Sequence, residues 1–524
     1  MNVLLVNPTY PQTYWSLDKV QRMLGKKLTE PPLGLLTVAA LLPESWDLKV
    51  IELRVQQITE DEWDACDILF VSGMSVQSTG ILETIRTGRK KNKTVVVGGP
   101  WVFHFSEDAL AAGADIVVKG EAEQIVPQLL SAIEQGTSGI IITPDTWVDL
   151  NNSPAPRYDL LDINSYTTLE VQFARGCPFR CEFCDVTLML GRKVRTKSPQ
   201  QILKELQNLY DLGWRSFVFF TDDNFIGNLT QTKALLKELI PWMEERDHPF
   251  EFITQATVNL AQNPEMLNLM VQAGFFKVFL GIETLDEESL KLAKKTQNMA
   301  MDLNWACETI NRAGLQIIAG CIIGFDNERP GADQRLIDFA IQNAIPEMFI
   351  TMLHAQPGTD MWTRLEKEGR LKHWKFDKDI GSQTGLSNFI PTRPLVEMVE
   401  EFTNLYQVLY DPGFYVERSF RHIARMKPSP VKKPFSLPSL PELRAVMITL
   451  YSQGVRYPSR WKFWKYFFTA MFTFPVSRFE QFLSACVMGE HYFEFRDTVN
   501  TKLRDNLQKA AREEGNDDSE DVHN

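Results

Sequence analysis

Three cysteines, Cys177, Cys181 and Cys184, fall within one short loop that directly follows an apolar run, Leu169 to Ala174, with the composition of a strand. A loop presenting thiols at C-x3-C-x2-C spacing requires a rigid strand beneath it and a ligand that accepts soft sulfur donors. The runs Ser216 to Thr221, Glu251 to Thr257, Lys277 to Gly281, Gln316 to Ile323 and Met348 to Leu353 repeat the strand pattern. Helical stretches such as Pro199 to Leu212 separate them. The rhythm stops at Pro357-Gly358-Thr359 after six units. A closed barrel needs eight, so the spacing predicts a partial (β/α)6 TIM-like barrel over 166–378, with its site at the carboxyl ends of the strands.

A separate α/β unit precedes it over 1–140. Strands are expected at Val3 to Val6, Leu48 to Glu52, Ile68 to Ser72, Thr94 to Val97 and Ile116 to Lys119, apolar on consecutive positions as in a parallel sheet covered on both faces. Each ends in turn-forming residues, and ligands of such Rossmann-like sheets sit outside those ends. The candidate binding residues are therefore Asn7, Ser72, Gly73, Gly98, Gly99, Pro100, Gly120 and Glu121. The polar, Pro-containing stretch 141–165 reads as a linker, 379–500 as a helical C-terminal region, and 501–524 as an acidic tail expected to fray.

Composition narrows the function classes. The net charge of −12 argues against general nucleic-acid binding. Between Asp411 and Tyr466, however, eleven Lys or Arg face three Asp or Glu. Within that region Trp461-Lys462-Phe463-Trp464-Lys465-Tyr466 interleaves bases with aromatics, which fits either an ordinary core helix or an interfacial helix giving peripheral membrane contact through 455–475. No run reaches the ~20 apolar residues of a membrane span. The N-terminus reads as a strand instead of a leader, so a cytoplasmic address is expected. Seven cysteines, an odd number, disfavour a disulfide framework, and Cys66, Cys307, Cys321 and Cys486 sit among apolar neighbours as buried small hydrophobes.

For the cysteine triplet, the residues themselves allow a zinc site, unrelated thiols or an iron–sulfur cluster. Structural zinc takes four protein ligands and no fourth Cys or His lies nearby, whereas three thiolates on a [4Fe–4S] cluster leave one iron open. With Phe183 before the last cysteine, the motif resembles that of the radical S-adenosylmethionine (SAM) superfamily. That resemblance implies a cluster on Cys177, Cys181 and Cys184, SAM chelating the open iron, and a 5′-deoxyadenosyl radical. It places SAM contacts at Phe183, Asp222, Asp223, Gln255, Glu283 and Gly324, although Asp222-Asp223-Asn224 stands where the family has Gly-Gly-Glu.

Pro31-Pro32-Leu33-Gly34, Gly98-Gly99-Pro100 and Gly120-Glu121-Ala122-Glu123 resemble the cobalamin-binding domain of B12-dependent radical SAM enzymes, so the likeness spans about Asn2 to Leu371. The Asp-x-His-x-x-Gly motif is missing and the first histidine is His104. A cobalt ligand from a histidine of this region is therefore not expected. Phe183-Cys184-Asp185, Gly191-Arg192-Lys193 with Arg195, Lys197-Ser198-Pro199 and Asp222 to Asn228 resemble the hopanoid C-2 methylase group. This resemblance implies C-methylation of a bulky hydrophobic compound, an isoprenoid or tetrapyrrole, with an electron donor such as flavodoxin or ferredoxin. Oxidative cyclases share the layout, so carbon-bond formation without methyl transfer is the alternative. No catalytic side chain is assigned.

Overall fold

The computed structural model describes residues 1–372, 383–431 and 437–520, with side chains described as far as residue 510. The strands β1 (Asn2–Asn7), β2 (Asp47–Glu52), β3 (Ile68–Ser72), β4 (Thr94–Gly98), β5 (Ile116–Val118) and β6 (Ile140–Ile142) form a six-stranded sheet in the order β2-β1-β3-β4-β5-β6. All pairs are parallel. Alternate residues feed two separate cores: Leu4, Val6, Leu69, Val71, Val95 and Val97 on one face, Val3, Leu5, Ile68, Phe70, Val96 and Ile116 on the other. Burial on both faces is why these strands read as unbroken apolar runs. The strand order reverses direction between β1 and β3, so their carboxyl ends open a crevice.

The barrel is built from β7 (Thr168–Val171), β8 (Ala174–Arg175), β9 (Arg195–Thr196), β10 (Phe217–Phe220), β11 (Glu251–Ala256), β12 (Phe275–Glu283), β13 (Gln316–Ile323) and β14 (Glu347–Met352). Its sheet runs β7-β10-β11-β12-β13-β14, all parallel, while β8 and β9 form a separate antiparallel pair. The sheet is not closed, and β14 is an edge. Exposed edge groups are costly to bury and prone to pairing with other chains. Here the helix Leu395–Leu409 and the residue after it cover the edge: Tyr410 Oη donates to Met348 O (2.6 Å) and accepts from Met348 N (2.9 Å), and Tyr406 Oη donates to Ile350 O (3.1 Å). Tyrosine hydroxyls stand in for the missing strand.

Three expectations are corrected. The linker does not begin at 141, because Ile140–Ile142 pairs with β5 as a further strand. A run so short between Gly139 and Pro144 carries no periodicity to distinguish it from a loop. The remaining linker is tied down, with Arg157 N donating to Leu36 O and Leu28 bridged to Tyr166. The run Leu169 to Ala174 is broken, since Asp222 Oδ1 accepts from Phe173 N and Ala174 N and turns the chain out of β7 into β8. The tail does not fray at 501 either: one helix spans Val476–Glu520, and Val499, Leu503 and Ala510 bury at helical spacing. The expected boundary at 378, Lys432, Lys433 and residues 521–524 lie outside the described residues.

Tyr410→Phe leaves the Met348 N–H and C=O unsatisfied in a buried setting and is expected to lower stability by about 1–3 kcal/mol. Thermal melting against Val396→Ala, an exposed position on the same helix, measures it.

Candidate active site

The β8–β9 pair frames the loop that carries the thiols. Cys177 N donates to Gly191 O (3.2 Å) and Cys184 N to Cys181 O (3.2 Å), folding the loop back on itself. All three cysteines are free and half-buried. Burial pushes the Cys177 and Cys184 thiols up, and Asp223 adds to the rise at Cys177, so without a partner they remain protonated. A thiophilic metal reverses this by binding the thiolate. Among the described residues, no group of three or more His, Cys, Asp and Glu side chains closes to the distance at which they would share one ion. A multi-iron cluster takes each thiolate on a different iron and does not need that convergence.

Two side chains passed over in the sequence reading complete the surroundings. Lys295 is buried, and its charge lies close enough to Cys181 and Cys184 to be stabilised by them as thiolates. Gln297 Nε2 lies 3.7 Å from Cys181 Sγ and donates to it. Donors aimed at sulfur suit an anionic cluster, so the residues present fit the group. In sequence, Lys294-Lys295 looks like solvated charge; only burial separates the two, since Lys294 pairs at the surface with Asp360.

Lys295 also pairs with Glu283 at 2.5 Å. Glu283 ends β12 with φ +63, at a register shift against β13, a left-handed conformation that costs of order 1–3 kcal/mol for a residue with a side chain. Gly281 makes the arrangement possible, because a Cβ there would lie 2.4 Å from Glu283 Oε1. Asn298 Nδ2 donates to the carbonyls of Gly281 and Ile282 and holds the kink. A carboxylate and an ammonium are thus held at the strand end, beside the thiols.

The other expected SAM contacts divide. Asp223 is half-buried beside Cys177; burial raises its carboxyl to about 6, and its Oδ2 has no partner, a free acceptor at the cluster loop. Gln255 is half-exposed at the end of β11, on the face paired with Phe279. Gly324 follows β13, and its N–H donates to Glu328, whose carboxyl is raised to about 7 by burial. Phe183 packs edge-on against Phe325 (5.6 Å between ring centroids). Asp222 is fully buried: its Oδ1 accepts from the Phe173 and Ala174 amides, and its Oδ2 has no partner.

Across from this loop stand the carboxyl ends of the first sheet. Gly99 has φ +89 and a Cβ there would fall 2.3 Å from Ser72 Oγ, so β3 and β4 present bare backbone at Ser72-Gly73 and Gly98-Gly99-Pro100, a cradle that only glycine leaves open. Two expected cobalamin contacts are corrected. Asn7 is committed internally, its Nδ2 donating to Glu52 and its Oδ1 accepting from Gln77. Glu121 after Gly120 accepts from Arg175 and Arg195 at 2.8–2.9 Å and from Val148 N, while Glu123 pairs with Arg175. His104, 3% exposed, meets Asp185 Oδ2 at 2.9 Å, directly after Cys184. The thiol loop is therefore gripped by the first domain on both flanks, a role the sequence did not reveal because every contact is long-range.

The face of the barrel sheet that looks inward carries Phe219, Ile253, Phe279 and Phe349 together with Gln255 and the Lys277–Glu347 ion pair. Phe219 is paired with Ile253, Gln255 with Phe279, and Gly320 with Phe349. Trp15, reaching over from the first domain, lies 5.8 Å from Phe279 and 5.2 Å from Phe349 between ring centroids.

Comparison with known proteins agrees with this geometry. The B12 binding domain family matches residues 26–130, the Radical SAM superfamily residues 171–340, and the family described as Domain of unknown function (DUF4070) residues 359–505. The chain is 43% identical to an uncharacterized methyltransferase, sll1242, of Synechocystis sp., over 97% of this chain and 94% of that protein. It is 31% identical to the hopanoid C-2 methylase of Rhodopseudomonas palustris, over 87% and 86% of the two lengths. In fold it is similar to the radical SAM methyltransferase TsrM from Kitasatospora setae (TM-score 0.59, 16% identity, 92% of this chain and 98% of that one). It is also similar to the cobalamin-dependent SAM radical enzyme OxsB (TM-score 0.59, 16% identity, 100% and 81%).

Two measurements probe the site. Cys181→Ala, reconstituted without oxygen, is expected to lose most bound iron and sulfide, and retention of a full complement would refute the ligand set. Lys295→Met strands the Glu283 carboxylate and is expected to cost about 3–5 kcal/mol in denaturant unfolding, partly recovered by adding Glu283→Gln. With both domain families matched and these identities extending over most of its length, the chain belongs to the cobalamin-dependent radical SAM methyltransferases, whose cofactors are a [4Fe–4S] cluster, SAM and cobalamin.

Proposed function

We propose that this enzyme methylates an unactivated carbon of a bulky apolar compound, an isoprenoid or a tetrapyrrole, held in the mouth of the open barrel. The observation carrying this reading is the aromatic wall: Trp15 from one domain lies over Phe279 and Phe349 of the other, with Phe219 and Ile253 on the same sheet face. Such a wall favours an apolar guest and offers a charged one nothing in exchange for its water. An unclosed sheet also admits a guest wider than a closed barrel would hold. The relatives' substrates, by their names, are hopanoids and bacteriochlorophyllides.

The cluster with SAM supplies the hydrogen-abstracting radical, and cobalamin supplies the methyl group. The chain's own share is placement. Cys177, Cys181 and Cys184 hold the cluster, with Gln297 and Lys295 offsetting its negative charge. Asp223, Gln255, Glu283 and the Gly324 backbone are the polar groups within reach for SAM, and the glycine-lined ends of β3 and β4 receive cobalamin. Trp15 and its aromatic neighbours exclude water from the space between. An electron donor such as flavodoxin or ferredoxin reduces the cluster, and the enzyme works at the cytoplasmic face of a membrane, touching it through 455–475.

Turnover with a hopanoid or tetrapyrrole acceptor is expected to release 5′-deoxyadenosine and S-adenosylhomocysteine together, followed by mass spectrometry. Deoxyadenosine without S-adenosylhomocysteine would replace methyl transfer with the cyclase-type reaction. Trp15→Ala, which removes part of the apolar wall, is expected to raise the acceptor KM roughly tenfold, corresponding to about 1–2 kcal/mol of lost burial, with SAM cleavage retained.

A further inference from the structure

The helices Leu440–Tyr451 and Arg460–Thr473 each carry a stripe of large apolar side chains that the protein itself does not cover. On the first, Leu440, Leu443, Met447 and Tyr451 follow one another at spacings of three and four, a single helical face, with Leu440 82% exposed. On the second, Trp461, Phe468 and Phe472 share a face with Lys465, and Trp461 and Phe472 are 76% and 80% exposed. Val455, in the π-helical turn Ser452–Arg456 between them, is exposed as well. The opposite side of the second helix is ordinary core, where Phe463 and Ala470 pack with Val416, Ile423, Phe482 and Cys486.

The turn between the two helices is anchored. Trp464 Nε1 donates to Gly454 O at 2.8 Å, and a Cβ on Gly454 would lie 2.7 Å from the Trp464 ring, so the second helix is seated directly on the turn. Gln453 anchors the turn to Cys486 O and Glu490 of the long C-terminal helix. The stripes are therefore presented on either side of an anchored turn.

Charge selects the occupant. From Leu443 to Arg478 the chain contains six Lys or Arg and no Asp or Glu, in a protein whose net charge is −12; Lys462 pairs with Glu417 and Arg478 with the Met426 carbonyl, so Arg444, Arg456, Arg460 and Lys465 are the cations the surface offers. A second copy docking through the same surface would set base against base. An anionic bilayer meets both requirements at once: aromatic and aliphatic side chains sink to the headgroup boundary while Arg and Lys reach lipid phosphates. No helix among the described residues is long and apolar enough to cross a membrane, so the contact is made at the surface.

We infer that the Leu440–Tyr451 and Arg460–Thr473 hairpin is a docking surface for an anionic lipid bilayer, extending the 455–475 contact by a whole second helix. The inference deepens the proposed function, resting on its membrane contact through 455–475 and on that bilayer being the source of the apolar substrate. Docking brings the enzyme to its acceptor and leaves the chemistry at the barrel mouth unchanged.

The test is sedimentation of the full-length protein with phosphatidylcholine vesicles, with and without phosphatidylglycerol, at low and high salt. Binding is expected to require phosphatidylglycerol and to fall with salt. It should drop at least tenfold in Trp461→Ser/Phe468→Ser/Phe472→Ser and likewise in Arg456→Glu/Arg460→Glu/Lys465→Glu. Because these positions lie on the surface, iron content and melting should match the parent protein, which separates lost docking from misfolding. No sedimentation with anionic vesicles, or sedimentation untouched by the triple variants, overturns the inference. A concentration-dependent dimer abolished by the same variants, without vesicle binding, overturns it in favour of self-association. SAM cleavage by reduced protein without vesicles reports on the radical chemistry separately.

Discussion

The arrangement depends on two parallel sheets being turned so that their carboxyl edges confront one another across the cysteine loop. Six polar side chains, paired across the domains, set that confrontation. Arg175, just ahead of Cys177, and Arg195, on the strand paired with it, converge on Glu121 and Glu123 of the first domain, while His104 holds Asp185 just past Cys184. Buried ion pairs contribute little net stability once desolvation is counted, but they are directional. Their value here is register: the loop that holds the cluster cannot shift without breaking contacts to the domain that holds cobalamin.

The open barrel raises a separate problem, since an unpaired edge strand invites aggregation and a closed one would leave too little room for a large guest. Tyr406 and Tyr410 resolve it by bonding the backbone of β14 from a helix. Tyr410 in turn touches Tyr14, which stacks on Tyr492 of the C-terminal helix. The same residues that seal the edge thus join the N-terminal loop, the barrel and the C-terminal helix into one core. Trp15, next to Tyr14, is carried by this packing to the mouth of the barrel.

Much of this was legible beforehand, for identifiable reasons. Strands buried on both faces show as consecutive apolar residues, so the expected strands appear close to their places in both sheets. The thiols were legible because their chemistry is local to one loop. The carboxylates were not equally so. Asp222 and Asp223 are neighbours of the same type and each keeps one unpartnered oxygen, yet Asp222 is fully buried against the Phe173 and Ala174 amides whereas Asp223 is half-buried beside Cys177. Glu121 and Asn7 sit at strand ends like true ligand contacts, but partners far away in the chain claim their polar atoms. Lys295 is indistinguishable in sequence from Lys294, and in the last helix the mixed polar residues between Val499, Leu503 and Ala510 hid their spacing.

The sequence by itself determined the two α/β units, the incomplete strand count and the loop that gathers three thiols, because periodicity, turn residues and cysteine spacing act over a few neighbouring positions. Which polar groups stay unpartnered, how the domains clasp, and which aromatic rings meet at the mouth of the barrel were decided by the tertiary structure alone. Those properties depend on burial and on partners tens to hundreds of residues away, as with Glu121 and Arg195 or Tyr14 and Tyr410, and no local pattern of residues encodes where the folded chain will bring such side chains together.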